Sequence, residues 1–152
     1  MNYKQPRSIQ VIIFSANEEP TRYLLLKRVD DQGGFWQSVT GSLEINETHQ
    51  RAAVREVYEE TGIACVESEL IDLELTNVFE IARLWRPKYA PDVTHNEEIC
   101  FALETRIGEV KIDLREHQEF VWVEYDEAMA RLYWESNKKA LAKLQEIRGH
   151  HR

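Results

Sequence analysis

Glu56, Glu59 and Glu60 fall within one helical turn or so of each other, in a segment from Gly41 to Ile63 that reads GSLEINETHQRAAVREVYEETGI. Carboxylates this close repel, which raises at least one of their pKa values and weakens an isolated helix. A hard divalent cation with oxygen ligands offsets that repulsion. On a helical wheel with Glu56 at zero, Glu60 lies at about 40° and Glu59 at about −60°, while Val54, Val57 and Tyr58 gather between about 100° and 200°. One face therefore packs and the other presents three carboxylates. Glu47, just ahead of the helix, adds a fourth, and Arg55 on the flank can pair with it and orient the loop below. A solvated acidic helix face is the plain alternative. A structural Ca²⁺ helix is a poor one, because there is no EF-hand loop and consecutive helix glutamates make a poor cage for that ion.

The elements that must position these groups can be read from periodicity and turn residues. A helix fits Thr48 to Thr61, with Gly62 where a left-handed C-terminal residue belongs. Ile9 to Phe14 is nearly continuous in β-branched and aromatic residues, as expected of a strand covered on both faces. Tyr23 to Lys27 reads as a second strand after the turn Asn17-Glu18-Glu19-Pro20. Asp30 to Gly34 is a loop, and a short apolar stretch follows from Phe35 to Val39. Further strands are expected at Leu70–Leu75, Val78–Leu84, Ile99–Leu103 and Phe120–Val123, with a long ordered loop from Arg86 to Asn96. Two helices close the chain, one capped by Asp126 and running to about Trp134, the other capped by Ser136. Ala140, Leu141, Leu144 and Ile147 form an apolar stripe on the last helix and are expected to pack in the core. Strands, one mid-chain helix, more strands and terminal helices describe an α/β layered domain with a mixed sheet. No repeat or Pro/Gly-rich linker divides the chain, so residues 1–152 are expected to form one domain.

Composition narrows the partners. The 152 residues carry 27 acidic against 19 basic side chains, a net charge of −8. That balance opposes a nucleic-acid backbone or an anionic membrane as partner, since both reward a basic surface. An acidic protein acting on a small phosphorylated substrate needs metal ions to manage like-charge repulsion. The two cysteines, Cys65 and Cys100, form no metal-binding pattern and are expected to be reduced, Cys100 as a small buried hydrophobe. The apolar run after the N-terminus is too short for a signal peptide, no stretch is long enough to span a membrane, and the expected location is cytoplasmic. His150 and His151 read as part of a solvated tail. No self-complementary apolar patch is evident, so a monomer is expected.

The spacing in the Gly41–Ile63 segment is specific. It runs Gly41, five residues, Glu47, seven residues, Arg55-Glu56-Val57, one residue, Glu59-Glu60, one residue, Gly62-Ile63. This order resembles the signature box of the Nudix hydrolase family, with every fixed position filled. Seven specified positions coincide by chance about once in 10⁸ windows. The resemblance implies an α/β/α sandwich, a catalytic loop starting at Gly41, and Glu56, Glu59 and Glu60 facing Mg²⁺ sites, with Mn²⁺ as a possible substitute. Glu56 and Glu60 are the expected direct ligands. Family members often take the general base from outside the helix. Glu116, ahead of the strand Phe120–Val123, is the chosen base and a further metal-site carboxylate, with Glu119 and Glu98 as rivals.

Outside the box, Phe35-Trp36-Gln37-Ser38-Val39-Thr40-Gly41 and Lys88-Tyr89-Ala90-Pro91-Asp92-Val93-Thr94, followed by Asn96, look like the branch of this family that acts on dihydroneopterin triphosphate. Lys4 and Pro6, Trp134 and Ser136-Asn137 are similar to it as well, while an additional residue in the Asp30–Gly34 loop and the Trp134-Glu135 pair depart from it. This likeness implies a small-molecule triphosphate substrate, cleaved to the monophosphate and pyrophosphate. Lys4 and Arg28 would meet the triphosphate, and Thr40, Phe79, Glu80 and Ile81 would line a pterin pocket. A surface charge at Arg28, a core role for Phe79 and a free Lys4 are the alternatives. The rival enzymes are nucleoside triphosphate pyrophosphatases with the same box, guanine nucleotides above all, because guanine and pterin share an aminopyrimidinone edge. RNA decapping fits the acidic charge poorly. A module that senses nucleotides without cleaving them would be expected to have lost some of the carboxylates, and none is missing.

Overall fold

A computed structural model of the chain describes residues 3–17 and 19–149. Glu18 of the expected turn and the His150-His151-Arg152 tail lie outside the described residues.

Seven strands, β1 (Arg7–Ser15), β2 (Arg22–Arg28), β3 (Trp36–Gln37), β4 (Val39–Ser42), β5 (Ile71–Glu80), β6 (His95–Glu104) and β7 (His117–Val123), build one mixed sheet, with helices α1 (His49–Thr61), α2 (Tyr125–Arg131) and α3 (Glu135–Gly149). The strand order is β3-β2-β1-β6-β5, with β4 also on β1 and β7 also on β2. β1 and β6 run parallel through the centre, and the other pairings are antiparallel. β1 forks the sheet: Ser8 to Val11 pair with β4, while Phe14 and Ser15 pair with β2.

Side chains alternate between the two faces along each strand, so neighbouring residues serve different layers. Ile9, Val11 and Ile13 of β1, Leu24 and Leu26 of β2, and Phe101 and Leu103 of β6 pack with Ala52, Ala53 and Val57 of α1. The intervening Ile12, Phe14, Tyr23, Leu25, Cys100 and Ala102 pack with Ala128 of α2 and Ala140, Leu141 and Leu144 of α3. Helices thus cover both faces, giving the expected α/β/α sandwich, and the apolar stripe of α3 is core, with Ile147 at its margin. Both cysteines are free, and Cys100 is buried. Among the described residues, no helix is long and apolar enough to cross a membrane.

Local chemistry sets both ends of α1. Thr48, expected as its first residue, is its cap, with the side-chain oxygen accepting from the Arg51 amide at 3.1 Å. Gly62 ends it at φ 77°, where a residue with a Cβ is disfavoured.

Elsewhere the boundaries differ from expectation. The two segments Leu70–Leu75 and Val78–Leu84 are one strand, β5, interrupted by an irregularity between Asp72 and Thr76 in which Glu74 adopts φ 53°. Leu84 instead belongs to a 3-10 turn, Arg83–Lys88, and β6 begins at His95 inside the expected loop. α2 starts after Glu124 without a side-chain cap, so Asp126 lies in its first turn, and it ends at Arg131, short of Trp134. Ser136 lies inside α3, where the Trp134 carbonyl accepts from Asn137 and Lys138.

Candidate functional site

α1 runs beside β4, and the closest approach is at Gly41. A Cβ built there would sit 2.2 Å from the Glu56 carboxyl carbon, so the missing side chain is what lets that carboxyl lie against the strand. Arg55 organises the box around it. Its guanidinium grips both oxygens of Glu47 at 2.8 Å, donates to the Ser42 carbonyl at 3.0 Å, and reaches Glu44 at 3.0 Å, Glu56 at 2.7 Å and Glu59 at 3.3 Å. The expected Arg55–Glu47 pair is therefore present, and it holds the Ser42–Glu47 loop to the helix. Arg55 in turn keeps Glu47 below the usual carboxylate range.

The three box carboxylates do not share one environment. Glu59 is 52% exposed and pairs with Arg55, while Glu56 is partly buried and Glu60 buried. Glu60 is 1% exposed, and its Oε1 has no hydrogen-bond partner. Burial is the largest cause raising the pKa of both groups, and the Glu56 charge adds to it at Glu60. A buried carboxyl with an unpaired oxygen, one turn from a second, partly buried carboxyl, suits a hard divalent cation. Among the described residues, no three such groups already converge in metal-binding geometry, so a cation held by this pair would need further oxygens.

β7 supplies the next groups. Lys27 pairs with Glu119 but Arg28 pairs with His117, leaving Gln118 as an extra residue. This bulge turns His117 toward the α1 face, which Arg28 shares with Leu24 and Leu26 by regular alternation along β2. The buried His117 then lies with Nε2 3.7 Å from Glu60 Oε1, and neither ring nitrogen has a hydrogen-bond partner. Burial, with Arg28 nearby, lowers its pKa to about 4, so the ring is neutral at pH 7. Glu116 is fixed through its backbone: its carbonyl accepts from Val29 and its amide donates to Asp113, both at 2.9 Å.

The three candidate bases are sorted by position. Glu116 is close enough for its charge to act on both Glu60 and Lys4. Glu119 pairs with Lys27 at 3.6 Å and is 57% exposed. Glu98 is buried on the other sheet face, bonded to Gln10 and Asn77. If Glu116 is the base, Glu116→Gln lowers kcat by about 10²-fold or more with a smaller change in KM. A rate within a few-fold of the unchanged protein shows that Glu116 is not the base.

Lys4 and Arg28 flank the acidic pair. Lys4 is an exposed residue, yet partial desolvation, then Lys88 and Arg28, lower its ammonium pKa, a cluster of cations suited to an anionic ligand. Arg28 bonds Gln32 through Nη2, while its buried Nε has no partner. Thr40 pairs with Gln10 and so lies on the face opposite Gly41; its hydroxyl accepts from Gln37 at 3.4 Å. Phe79 and Glu80 are exposed at the end of β5, whereas Ile81 is buried. A cleft of about 1220 Å³ beside Phe14, Tyr23, Tyr125 and Arg148 lies at the C-terminal end of α3 and includes none of the box residues.

Sequence reasoning did not single out His117 as a site residue. The adjoining Glu116 was the only signal, because the inward turn of His117 depends on the bulge.

Comparison with known proteins places this geometry. The chain matches the NUDIX domain over residues 4–144. It is 43% identical over 141 residues to dihydroneopterin triphosphate diphosphatase of Escherichia coli K12, covering 91% of each protein. It is 37% identical over 145 residues to the Haemophilus influenzae protein of the same name, covering 94% of this chain and 89% of that one. The solved structure of the E. coli dihydroneopterin triphosphate pyrophosphohydrolase aligns with a TM-score of 0.82 at 40% identity, covering 93% of this chain and 95% of that one. With the Gly41–Ile63 box complete, Glu56 against β4 and Glu60 buried one turn on, the chain belongs to the NUDIX family and is a Nudix hydrolase.

Proposed function

We propose that the protein hydrolyses dihydroneopterin triphosphate to dihydroneopterin monophosphate and pyrophosphate, as a cytoplasmic monomer using Mg²⁺, with Mn²⁺ as a substitute. The observation that carries this reading is the 43% identity to a diphosphatase of that name, extending over 91% of both proteins. The acidic pair of partly buried Glu56 and buried Glu60 supports it from the chemistry side.

Glu56 and Glu60 would hold the cation, with Glu116 and Glu59 as the further carboxylates of the site. Such a cation neutralises phosphate oxygens and lowers the pKa of water. Glu116 accepts the proton of the attacking water as its oxygen bonds to phosphorus, the α–β anhydride bond breaks, and pyrophosphate departs. Lys4 and Arg28 bind the phosphate oxygens, and Arg55 keeps the Ser42–Glu47 loop and Glu56 in place. Thr40, Phe79, Glu80 and Ile81 are the proposed lining of the organic group's pocket.

A panel of dihydroneopterin triphosphate, GTP, dATP, 8-oxo-dGTP and ADP-ribose, each with Mg²⁺, tests the reading through kcat/KM. Dihydroneopterin triphosphate is expected to lead the panel by at least about tenfold. A lead for any nucleotide refutes the pterin assignment and leaves the family membership intact.

A further inference from the structure

The sheet face that packs on α3 changes character along its length. At one end it carries Ile12, Phe14, Leu73 and Ala102. Toward the start of β1 the same face carries Ser8 and Gln10, with Thr40 of β4, Asn96 and Glu98 of β6 and Asn77 of β5, and Ser38, just ahead of β4, bonds to Gln10. All of these except Thr40 are buried. A core has no use for so many polar groups, each costing about 1–3 kcal/mol if left unpaired.

Their hydrogen bonds run in one direction. Asn137, in the first turn of α3, donates to Ser38 at 3.3 Å, and Ser38 donates to Gln10 Oε1 at 2.8 Å. Gln10 Nε2 then donates to Glu98 Oε1 at 2.9 Å, and Asn77 donates to the same oxygen at 3.2 Å. What remains open is all acceptor: Asn137 Oδ1 and Asn96 Oδ1 are buried without partners, and none of these bonds uses Glu98 Oε2. Such a floor suits a ligand rich in N–H donors. Trp134, beside the start of α3, lies 5.4 Å from Trp85 of the Arg83–Lys88 turn, an aromatic wall for a flat ring. Thr40 belongs to this polar face, and the next residue, Gly41, rests against Glu56. Recognition and cleavage groups are thus neighbours in sequence on β4, on opposite faces of the sheet.

We propose that Glu98, oriented by Gln10 and Asn77, reads the exocyclic amino group and adjacent ring N–H of an aminopyrimidinone edge and so sets which organic group the enzyme accepts. This rests on the proposed pterin substrate, yet guanine presents the same pair of donors, whereas hypoxanthine lacks the amino group. Burial raises the Glu98 pKa, and two N–H donors from a ligand offset that desolvation.

The test is calorimetric binding of GMP and IMP in the presence of Mg²⁺. Neither has an anhydride to cleave, so the outcome is independent of whether dihydroneopterin triphosphate is turned over. The unchanged protein is expected to bind GMP about tenfold tighter than IMP. In Glu98→Gln the amide oxygen still accepts from Gln10 and Asn77, but an NH₂ group replaces the second oxygen. The preference should fall to near one, because GMP loses the acceptor for two N–H groups and IMP for only one. Equal or undetectable binding of the two nucleotides by the unchanged protein overturns the proposal, whether or not the variant folds. A variant that weakens both nucleotides equally overturns it too, because that is the mark of a structural residue.

Discussion

Glu60→Gln is expected to reduce Mg²⁺-dependent pyrophosphate release by about 10³-fold or more while leaving the fold intact. The substitution keeps side-chain volume and removes the charge of the most deeply buried carboxyl in the box. Because burial raises the folded-state pKa of Glu60 above its unfolded value, its contribution to stability is fully present below the unfolded pKa. It is lost as pH rises through the folded pKa. At pH 8 without metal the unchanged protein carries that loss and the glutamine variant does not. Thermal unfolding in EDTA at pH 8 should therefore place the variant at or above the unchanged protein. Adding Mg²⁺ should raise the midpoint of the unchanged protein and leave the variant nearly where it was. Turnover within tenfold of normal, or an equal Mg²⁺ shift in both, would remove Glu60 from the metal site.

Gly41→Ala should lower kcat by about 10²-fold or more at a much smaller cost in stability. The new methyl group would meet the Glu56 side chain at 2.2 Å from Cδ and 2.6 Å from Oε1. These are the far atoms of a flexible side chain, so the fold yields by swinging Glu56 away rather than by moving the strand. The carboxyl then leaves the position where Arg55 and Glu60 hold it. A crystal structure of the variant with Glu56 unmoved, or an unaltered kcat, would contradict this account of the glycine.

The parts of the molecule legible in the sequence are those with local causes. α1 could be bounded because Thr48 and Gly62 act on their own termini, and β1 and β2 because Ile9–Phe14 and Tyr23–Lys27 are apolar runs buried by whatever covers them. The Arg55–Glu47 pair followed from spacing. The start of β6 did not, since His95, Asn96, Glu97 and Glu98 look like loop until β5 and β1 pair with them on either side. β5 looked like two strands because the polar pair Thr76-Asn77 separates its apolar stretches, and the burial of Asn77 against Glu98 depends on a distant strand. Glu59 belongs with Glu56 and Glu60 on a wheel, but Arg55 and solvent hold it apart, which a wheel does not represent. One clue to the polar floor was present: Gln10 interrupts an otherwise apolar run, a place where a buried amide needs partners from distant strands.

The extra residue in β7 gives a strand irregularity a chemical meaning. Drawn out as a regular strand, β7 would put Gln118 on the α1 face and send the imidazole of His117 into the opposite layer, among the residues that pack on α2 and α3, and Glu60 would lose its neighbour without any change to the box. The bulge that absorbs Gln118 therefore specifies the acidic centre as surely as the kinds of residue do, and a tally of matching letters would miss its loss.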